Sequence, residues 1–599
     1  MAQYIDLRTL KFLLHDVHRA TELQQYAYFQ DYDAEAYDMS LEAAKALGDA
    51  HLYPIYREMD QNKAYYEDGV VRVHPKLKSA IDALGEGGWL SAPYPYDDGG
   101  QQMPLILKSA VALVFYAANG NAASYAFLTE GAANLIRTFG AEDLQRRYMD
   151  RMFSGEWQGT MALTEPQAGS SLSDITTTAV PQPDGSYKIT GQKIYISGGD
   201  YESATNVVHL TLARIAGAQA GTRGISLFVV PKYRLEGEAL VANDVTTAGI
   251  YGKMGQRGYV AAHLMMGEQQ GGATGYLVGT EHRGLKYMFQ MMNEARIGTG
   301  LMAAGTACAA YYASLQYAKE RPQGRHPSNK DVSQPQVPII EHADVKRMLL
   351  YQKSIVEGSF SLLLYCSKLA DIAAQSPDAK AKEEAHLKLE LLTPIAKSFP
   401  AEFGNLAVST GMQVLGGAGY TDDFPLEQYY RDIRVNAIYE GTTTIHGMDI
   451  LGRKVMLGGG KALQLLGAEI QSTIKEALAL PRLEAHAQSL GKTAQQLQET
   501  TMHLMQLAQS ERPEVFLADA TLYLEFFGIV TVAWQWLTMG IAAVKTGETN
   551  PKETATFYQG KLAAMDYYFE YELVKTIGLR KRLVSARRVT LEVGVRVID

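Results

Sequence analysis

A glutamate late in the chain stands in surroundings that suit a general base. Glu440 follows an isoleucine and Tyr439, and Gly441 comes directly after it. A carboxylate held against apolar surface has its charged form disfavoured, so its pKa rises toward a useful basicity. A solvated glutamate at the end of a helix is the alternative, because glutamate side chains are mostly exposed. The residue types alone leave both interpretations open.

Two earlier segments carry short hydroxyl side chains. In 161–170 (MALTEPQAGS), Thr164 and Ser170 flank a proline and a glycine, and such a loop can hold a phosphate or the polar edge of a ring. In 191–199 (GQKIYISGG), Tyr195 and Ser197 lie two apart on a predicted strand, so both face the same side. They could stack on a planar cofactor and hydrogen-bond its edge. A plain connecting loop and an ordinary half-buried strand are the respective alternatives.

A glycine cluster at 413–420 (QVLGGAGY) forms the remaining candidate segment. Glycines permit the backbone to approach a ligand closely. A structural turn is the alternative, and the spacing differs from the dinucleotide-binding G-x-G-x-x-G that follows a strand. The cluster is therefore a weak signal when it is taken alone.

The secondary structure predicted around these segments changes along the chain. The first part, to about residue 158, is mostly helical in its apolar spacing. β-Branched runs follow, and the turn dipeptide Asp184-Gly185 between two of them predicts a hairpin. Helix returns near Tyr287. The order is helix, strand, helix and then helix again.

These changes predict four domains in a fold of the α+β class that is mainly α. The chain has 599 residues, and at roughly 100–200 residues per domain this length favours about three or four domains. A polar, proline-rich stretch at 323–338 predicts an exposed loop, and glycines at 458–460 predict a hinge. The predicted domains are an N-terminal helical domain at 1–158, a central β domain at 159–280, a helical bundle at 281–456 and an additional helical domain at 461–599.

Charge and cysteine content exclude several classes of protein. The net charge of −9 argues against a nucleic-acid binder. Two cysteines supply neither a disulfide framework nor a cysteine-based metal site, so no metal is expected and a reducing compartment fits best. The first residues lack the basic-then-apolar pattern of a signal peptide. We therefore expect a cytoplasmic protein.

One apolar run and one basic run bear on membrane contact. Residues 526–544 carry no charge and could span a bilayer, but Gln535 and several small polar residues favour a buried helix. For the basic residues near the C-terminus, a solvated helix end is favoured over contact with anionic lipid. These residues are Arg580, Lys581, Arg582, Arg587 and Arg588. Membrane contact is therefore not expected.

The order of the four candidate segments along the chain is more specific than any of the segments alone. TEPQAGS at 164–170, GQKIYIS at 191–197, QVLGGAG at 413–419 and IYEGT at 438–442 together resemble the acyl-CoA dehydrogenase family. The resemblance covers roughly residues 40–455. It implies an N-terminal helical domain, a central β-barrel-like domain and a C-terminal helical bundle. The helical tail and the opening of the chain resemble the longer members, of the 3-methylmercaptopropionyl-CoA dehydrogenase type.

The resemblance assigns roles to individual residues. Glu440 matches the catalytic base that takes the α-proton while the β-hydride passes to flavin N5, and its backbone N–H matches a donor to the thioester carbonyl. The positions that match FAD contacts are Met161, Leu163, Thr164, Ser170, Tyr195, Ser197, Arg321, Gln413, Gly416, Gly417, Thr442 and Thr444. The positions expected to bind substrate are Ser170, Arg296, Tyr439 and Gly441.

Three features qualify this assignment. Some members of the family carry the base just before an arginine on another helix, but here Ala295 precedes Arg296, and Glu294 is turned by about 100° around the helix. Because the alternative base is missing, Glu440 remains the expected base. Tyr195 stands where tryptophan is usual, and Met161 stands where an aromatic residue is common.

The resemblance also implies partners and leaves alternatives open. Arg321 and residues 413–417 match positions that reach the FAD of a neighbouring subunit, so a homodimer is expected. An electron-transfer flavoprotein is the expected electron acceptor, and the product is the trans-2-enoyl-CoA, as in β-oxidation. The substrate is 3-methylmercaptopropionyl-CoA or a fatty acyl-CoA. An acyl-CoA oxidase that uses oxygen and a catalytically silent flavoprotein that serves as a binding module are the rival functions.

Overall fold

A computed structural model of the chain describes residues 3–329, 331–549 and 551–598. The N-terminal helices are Leu7–Lys11 (α1), Ala34–Leu47 (α2), Tyr56–Gln61 (α3), Leu77–Glu86 (α4), Leu105–Phe139 (α5) and Glu142–Phe153 (α6). After the strands come Gly284–Glu320 (α7), Ala343–Gln375 (α8), Ala379–Leu415 (α9), Leu426–Ile433 (α10) and Thr443–Gly452 (α11). The last helices are Lys461–Leu478 (α12), Glu484–Ser510 (α13), Pro513–Leu517 (α14), Ala520–Thr549 (α15), Ala555–Tyr567 (α16), Thr576–Leu583 (α17) and Val589–Glu592 (α18). The mainly helical class is confirmed.

The strands concentrate in the middle of the chain, as the sequence predicts. They are Tyr65–Glu67 (β1), Val70–Arg72 (β2), Trp157–Ala162 (β3), Thr178–Pro181 (β4), Tyr187–Ser197 (β5), Asn206–Ile215 (β6), Ile225–Pro231 (β7), Tyr233–Glu236 (β8), Ala239–Ala242 (β9), Val245–Ile250 (β10), Ala261–Met266 (β11) and Ala273–Leu277 (β12).

The central sheet closes on itself, which explains its barrel-like character. Strand β5 pairs with β12, β12 with β7, β7 with β6, β6 with β4, and β4 again with β5. A closed circuit of strands removes free edges. Strand β3 joins this circuit parallel to β6, and β11 extends it from β5. The central β-barrel-like domain is therefore confirmed.

The predicted hairpin is present, and a second one was not predicted. Strands β4 and β5 pair antiparallel, with Pro181 opposite Tyr187, around the turn that contains Gly185 at a φ of 82°. In the predicted helical region, β1 and β2 form a small hairpin whose turn residues Asp68 and Gly69 both have positive φ. The prediction of a mostly helical segment missed this hairpin, although Asp-Gly is a turn signal.

The chain divides into two compact units. The first contains Ala43–Met103 and Val114–Ala295. The second contains Gln3–Glu42, Pro104–Leu113 and the chain from Arg296 onward. The described N-terminal residues of the second unit pack with its last helices, since Lys561 Nζ lies 2.8 Å from Thr9 Oγ1. The predicted boundaries of four domains remain a prediction.

Helix α9 is unusual because it contains two prolines, Pro394 and Pro400. Each proline lacks an N–H donor and crowds the carbonyl four residues earlier. For Pro400 this carbonyl belongs to Ala396, and a Cβ at Gly300 of α7 would lie only 2.2 Å from its oxygen. Glycine at position 300 therefore lets α7 pack directly on α9 at this irregular point.

Two helices within the described residues are long and apolar enough to cross a membrane by length and composition. They are Leu105–Phe139 and Ala520–Glu548, and 94% of the most apolar stretch of each is buried inside the structure. The apolar run predicted to be a buried helix is therefore a buried helix. Its polar residue Gln535 accepts a hydrogen bond from Ser361 at 2.7 Å.

The basic residues near the C-terminus bond mostly within the protein. Arg580 pairs with Glu499 at 3.0 Å, and Arg582 pairs with Asp519 at 3.2 Å. Arg588 is buried. These contacts hold part of the positive charge against neighbouring helices, while Lys581 and Arg587 are exposed.

Candidate active site

Glu440 lies in a tight turn that precedes helix α11. Its φ is 54°, in the left-handed region, and Gly441 follows with a φ of 92°. A residue with a side chain pays about 1–2 kcal/mol for this conformation. A Cβ at Gly441 would lie 2.8 Å from His446 Nε2, so glycine is required there. The turn is therefore held by its surroundings against a local backbone cost.

Two buried side chains hold this turn. His446 Nε2 lies 3.1 Å from the carbonyl oxygen of Glu440, and because a carbonyl only accepts, the nitrogen donates. Lys397 Nζ donates to the carbonyl oxygen of Gly441 at 2.8 Å. Each such bond is worth about 0.5–3 kcal/mol, the higher value applying to a charged donor. Together they offset the cost of the left-handed backbone.

The surroundings of Glu440 suit the carboxylate to proton removal. Burial raises the pKa of Glu440, while the positive charges of Arg296 and Lys397 lower it in part, and the balance is a raised pKa. Burial lowers the pKa of Lys397 to about 8, against the opposing effect of Glu440 and Glu402. A base whose pKa approaches the working pH is favoured in general base catalysis. The burial of the carboxylate is thus partly compensated by two neighbouring positive charges.

Burial keeps His446 neutral. Burial, together with the nearby positive charges of Lys397 and Arg296, lowers the pKa of His446 to about 3. At neutral pH its imidazole therefore carries one proton, which lies on the nitrogen that donates to Glu440. The histidine acts here as a hydrogen-bond donor rather than as an acid.

The other predicted substrate-side residues of this unit lie on or beside the turn. Arg296 is 6% exposed, and its Nη1 is 3.9 Å from Asp449 Oδ2 of α11. The hydroxyl of Tyr439 contacts the sulfur of Met302 at 3.6 Å. The alternative acid, Glu294, accepts a hydrogen bond from Asn134 at 3.0 Å.

The flavin-side residues of the first unit are joined by backbone and ionic contacts. The Ile194 N–H donates to the Thr164 carbonyl at 2.9 Å, which ties the loop after β3 to β5. Lys193 Nζ donates to the Leu163 carbonyl at 3.1 Å and to Glu165 Oε1 at 2.8 Å. The structure therefore brings the first two sequence segments side by side.

Glu165 anchors this loop with both carboxylate oxygens. Oε2 accepts from the Thr176 N–H at 2.6 Å, and Oε1 accepts from the Thr177 N–H at 3.1 Å. Burial alone would raise the pKa of Glu165, but Lys193 and these hydrogen bonds lower it to about 2. Burial lowers the pKa of Lys193 to about 8. At neutral pH the two side chains form a buried ion pair.

Tyr195 occupies a bulge in β5. Ala262 pairs with Ile196 and Leu264 pairs with Lys193, so two residues of β5 oppose one residue of β11. Tyr195 has a φ of 58°, is 59% exposed, and its ring centroid lies 4.2 Å from that of Tyr251. The bulge explains why the neighbouring side chains of Lys193 and Ile194 are both buried.

These residues fit a planar cofactor. The exposed ring of Tyr195 offers a flat apolar face, and the half-buried Ser197 and Thr164 offer hydroxyls to a ring edge. Met161 and Leu163 are also half-buried, and Ser170 is exposed at the end of the loop. A flat face beside hydroxyl donors is what an isoalloxazine ring requires.

The remaining predicted contacts belong to the second unit and lie on its surface. Gln413, Gly416 and Gly417 are exposed where α9 ends, and Gly416 has a φ of 59°. Arg321 is exposed where α7 ends. Thr442 is the N-cap residue of α11, and the Thr444 hydroxyl accepts from Thr521 at 3.5 Å. No cluster of metal-ligating side chains occurs among the described residues.

Four residues of these clusters were not singled out from the sequence. Glu165 and Lys193 stood inside the predicted segments, where a buried charge can be recognised only once its partner is known. Lys397 and His446 stood outside them. The one available signal was a lone lysine between two prolines in an apolar run, LLTPIAKSFPAEF at 391–403.

Family models match most of the chain. They are the acyl-CoA dehydrogenase N-terminal domain at 34–156, its middle domain at 160–268, its C-terminal domain at 282–456, and the acetyl-CoA dehydrogenase C-terminal-like domain at 466–593. The chain belongs to the acyl-CoA dehydrogenase family. It is an FAD-dependent oxidoreductase of fatty acid metabolism that dehydrogenates acyl-CoA thioesters.

Two relatives are similar to this chain over nearly its whole length. A 3-methylmercaptopropionyl-CoA dehydrogenase of Ruegeria pomeroyi is 35% identical over 573 residues, covering 94% of each chain. A broad-specificity linear acyl-CoA dehydrogenase of Mycobacterium tuberculosis is 30% identical over 583 residues, again covering 94% of each.

The fold has solved counterparts. An acyl-CoA dehydrogenase of Bacillus anthracis complexed with FAD superposes with a TM-score of 0.74 at 20% identity, covering 96% of this chain and 92% of that chain. A Caenorhabditis elegans protein in complex with C11-CoA gives a TM-score of 0.76 at 19% identity, covering 92% and 90%. At these identities the likeness supports the fold.

Proposed function

We propose that Glu440 removes the α-proton of an acyl-CoA thioester and that the product is the trans-2-enoyl-CoA. Bound FAD supplies the acceptor for the hydride that leaves the β-carbon. Loss of the α-proton gives negative charge to the thioester oxygen, and the Glu440 backbone N–H donates a hydrogen bond to it. The observation that carries this proposal is the raised pKa of Glu440 in a turn fixed by Lys397 and His446.

The substrate-side residues have complementary tasks in this proposal. Arg296 places positive charge near the carboxylate and lowers its pKa, against the larger effect of burial, which raises it. Tyr439 and Gly441 flank the base and line the position of the thioester. Ser170, exposed on the loop after β3, contacts the CoA portion.

The proposed FAD contacts are assigned residue by residue. Met161, Leu163, Thr164, Ser170, Tyr195 and Ser197 supply the contacts of the first unit. Thr442 and Thr444 supply those beside the base. Arg321, Gln413, Gly416 and Gly417 reach the FAD of a second subunit, and their surface exposure is compatible with this role. A homodimer would then be required for complete cofactor sites.

The substrate we favour is a short thioether acyl-CoA of the 3-methylmercaptopropionyl type. The support is the relative of that name at 35% identity over nearly the whole chain. A linear fatty acyl-CoA is the second candidate, supported by the relative with broad specificity for linear acyl chains. Both substrates present the same α- and β-hydrogens to the site.

The acceptor we propose is an electron-transfer flavoprotein, and the proposed location is the cytoplasm. An oxidase would instead pass electrons to oxygen, and a silent flavoprotein would bind acyl-CoA without reacting. Reoxidation of the substrate-reduced protein separates these functions. Slow reoxidation in air and rapid reoxidation by an electron-transfer flavoprotein support the dehydrogenase, whereas rapid reoxidation in air supports the oxidase.

The test of the base is anaerobic mixing of the protein with a panel of acyl-CoAs while the flavin absorbance is followed. Wild-type protein is expected to bleach with one class of acyl chain. Glu440→Gln is expected to bleach roughly 10²–10⁴ times more slowly, because it loses general base catalysis. FAD content of both proteins is the control. No bleaching by wild type with any acyl-CoA would support the silent flavoprotein instead.

A further inference from the structure

The two successive carbonyl groups of the turn at Glu440 and Gly441 are each bound by a buried side chain from a helix. The carbonyl of Glu440 accepts from His446 of α11 at 3.1 Å, and the carbonyl of Gly441 accepts from Lys397 of α9 at 2.8 Å. Lys397 is completely buried. Because both residues of the turn have positive φ, a change in either bond would let the peptide planes rotate.

A lysine in this position carries a cost that needs an explanation. Removing an ammonium group from water is unfavourable unless it is paired. Lys397 donates to a neutral carbonyl, and the carboxylates of Glu440 and Glu402 act on it through their charge. Arg296, which acts in the opposite direction, adds a second positive charge near the base.

We propose that Lys397 and His446 are positioning residues for Glu440: they fix the two carbonyls of the turn, and the ammonium group of Lys397 also places a positive charge beside the carboxylate. This inference rests on the proposed function of Glu440. By fixing the peptide planes, the pair sets the direction of the Glu440 side chain and of its backbone N–H together. One small rotation of the turn would therefore misplace both the base and the donor to the thioester.

The effect on the pH profile follows from the charges that face Lys397. These are Glu440 and Glu402 with negative charge, and Arg296 with positive charge, beside the neutral ring of His446. A positive charge near a carboxylate favours its ionised form. Loss of the Lys397 charge therefore raises the pKa of Glu440, and the protein needs a higher pH to keep its base ready.

The experiment compares the limiting rate of anaerobic flavin bleaching, as a function of pH, in Lys397→Met and wild type. Lys397→Met is expected to bleach about 10–100-fold more slowly, as loss of a hydrogen bond from a charged donor implies. The acid limb of its profile is expected to move to higher pH by about one unit. Lys397→Arg, which keeps the charge, is expected to return the limb toward the wild-type pH.

The matched control removes another lysine from the same helix. Lys388 of α9 pairs with Glu469 at 2.5 Å and is mostly buried. Lys388→Met is expected to leave the acid limb where wild type has it, even if the thermal stability falls. FAD content and the melting temperature of each variant establish that it is folded.

A second variant keeps the proposal testable if Lys397→Met does not fold. His446→Leu removes the donor, removes no charge, and is expected to slow bleaching without moving the acid limb. Lys397→Met with the wild-type rate and the wild-type acid limb, or a folded His446→Leu with the wild-type rate, would overturn the proposal. If Glu440→Gln itself bleaches normally, the assignment of the base fails instead, so the two failures are distinguishable.

Discussion

Two buried lysines, one in each compact unit, are used in different ways. Lys193 of β5 is fully buried and bonds directly to the carboxylate of Glu165 at 2.8 Å. Lys397 of α9 is equally buried but bonds to a backbone carbonyl at 2.8 Å. Burial lowers the pKa of each to about 8. They differ in that the ammonium group of Lys193 is bonded directly to a carboxylate, whereas that of Lys397 is bonded to a neutral carbonyl.

The two lysines therefore differ in role: one stabilises a loop, and the other changes the pKa of a carboxylate. The charge of Lys193 is matched by a carboxylate that also binds two threonine N–H groups, so this ion pair closes the loop on which the proposed FAD contacts lie. The charge of Lys397 remains available to Glu440, whose pKa it lowers. We therefore expect Lys193 to affect the affinity for FAD and Lys397 to affect the position and the pKa of Glu440.

The largest effect is expected for Lys193→Met. Removing one partner of a buried ion pair costs about 3–5 kcal/mol because the other charge is left unpaired. We expect a lower melting temperature and at least roughly 100-fold weaker FAD binding, measured by titration of the FAD-free protein. At saturating FAD, the acid limb of the bleaching profile is expected to match that of wild type.

Lys188→Met is the control on the same strand. Lys188 is half-buried and donates to the Gly272 carbonyl at 3.2 Å, so its loss leaves no buried carboxylate unpaired. FAD binding within a few-fold of wild type is expected for this variant. If Lys193→Met binds FAD as tightly as Lys188→Met does, the ion pair has no role in holding the loop.

A smaller effect is expected for Gly441→Ala. Alanine at a φ of 92° is strained, and its Cβ would lie 2.8 Å from His446 Nε2. We expect a loss of about 1–3 kcal/mol in the free energy of unfolding and slower flavin bleaching. Gly459→Ala is the control, because Gly459 has a φ of 69° with no atom within 4 Å of the added Cβ. Equal bleaching rates in the two variants would show that the His446 contact is dispensable.

The smallest effect is expected from moderate acid. The pKa of Glu165 is lowered from 4.5 to about 2, so its contribution to stability is fully present above pH 4.5 and is lost as the pH falls toward 2. We expect the melting temperature of wild type to fall more steeply than that of Glu165→Gln over this interval. Parallel curves would mean that Glu165 is not paired as described.

Much of the fold could be predicted from the sequence because the signals were local. Asp184-Gly185 between β-branched runs gave the β4–β5 hairpin, and the apolar spacing gave the helices. Local signals did not predict the closure of the barrel, which only the family resemblance implied, because closure depends on β4 pairing with both β5 and β6. The hairpin at Asp68-Gly69 was missed although its turn signal was local.

The candidate site shows the same division. Glu440, Tyr195 and Ser197 were selected from short motifs, and the structure places Tyr195 on an exposed bulge and Glu440 in a strained turn. The positive φ of these two residues has no counterpart in their residue types, which rarely adopt it. Lys397 lies 44 residues from the carbonyl that it binds. A contact over that separation is decided by helix packing, which a motif does not encode.

The central claim is that Glu440 takes the α-proton, and single-turnover bleaching with an α-deuterated acyl-CoA tests it most directly. Wild-type protein is expected to bleach more slowly with the α-deuterated than with the ordinary substrate, because the C–H bond is broken in the measured step. Glu440→Gln with FAD bound is expected not to bleach on this timescale with either substrate. Bleaching of Glu440→Gln at the wild-type rate, with the same isotope effect, would contradict the assignment and require another base.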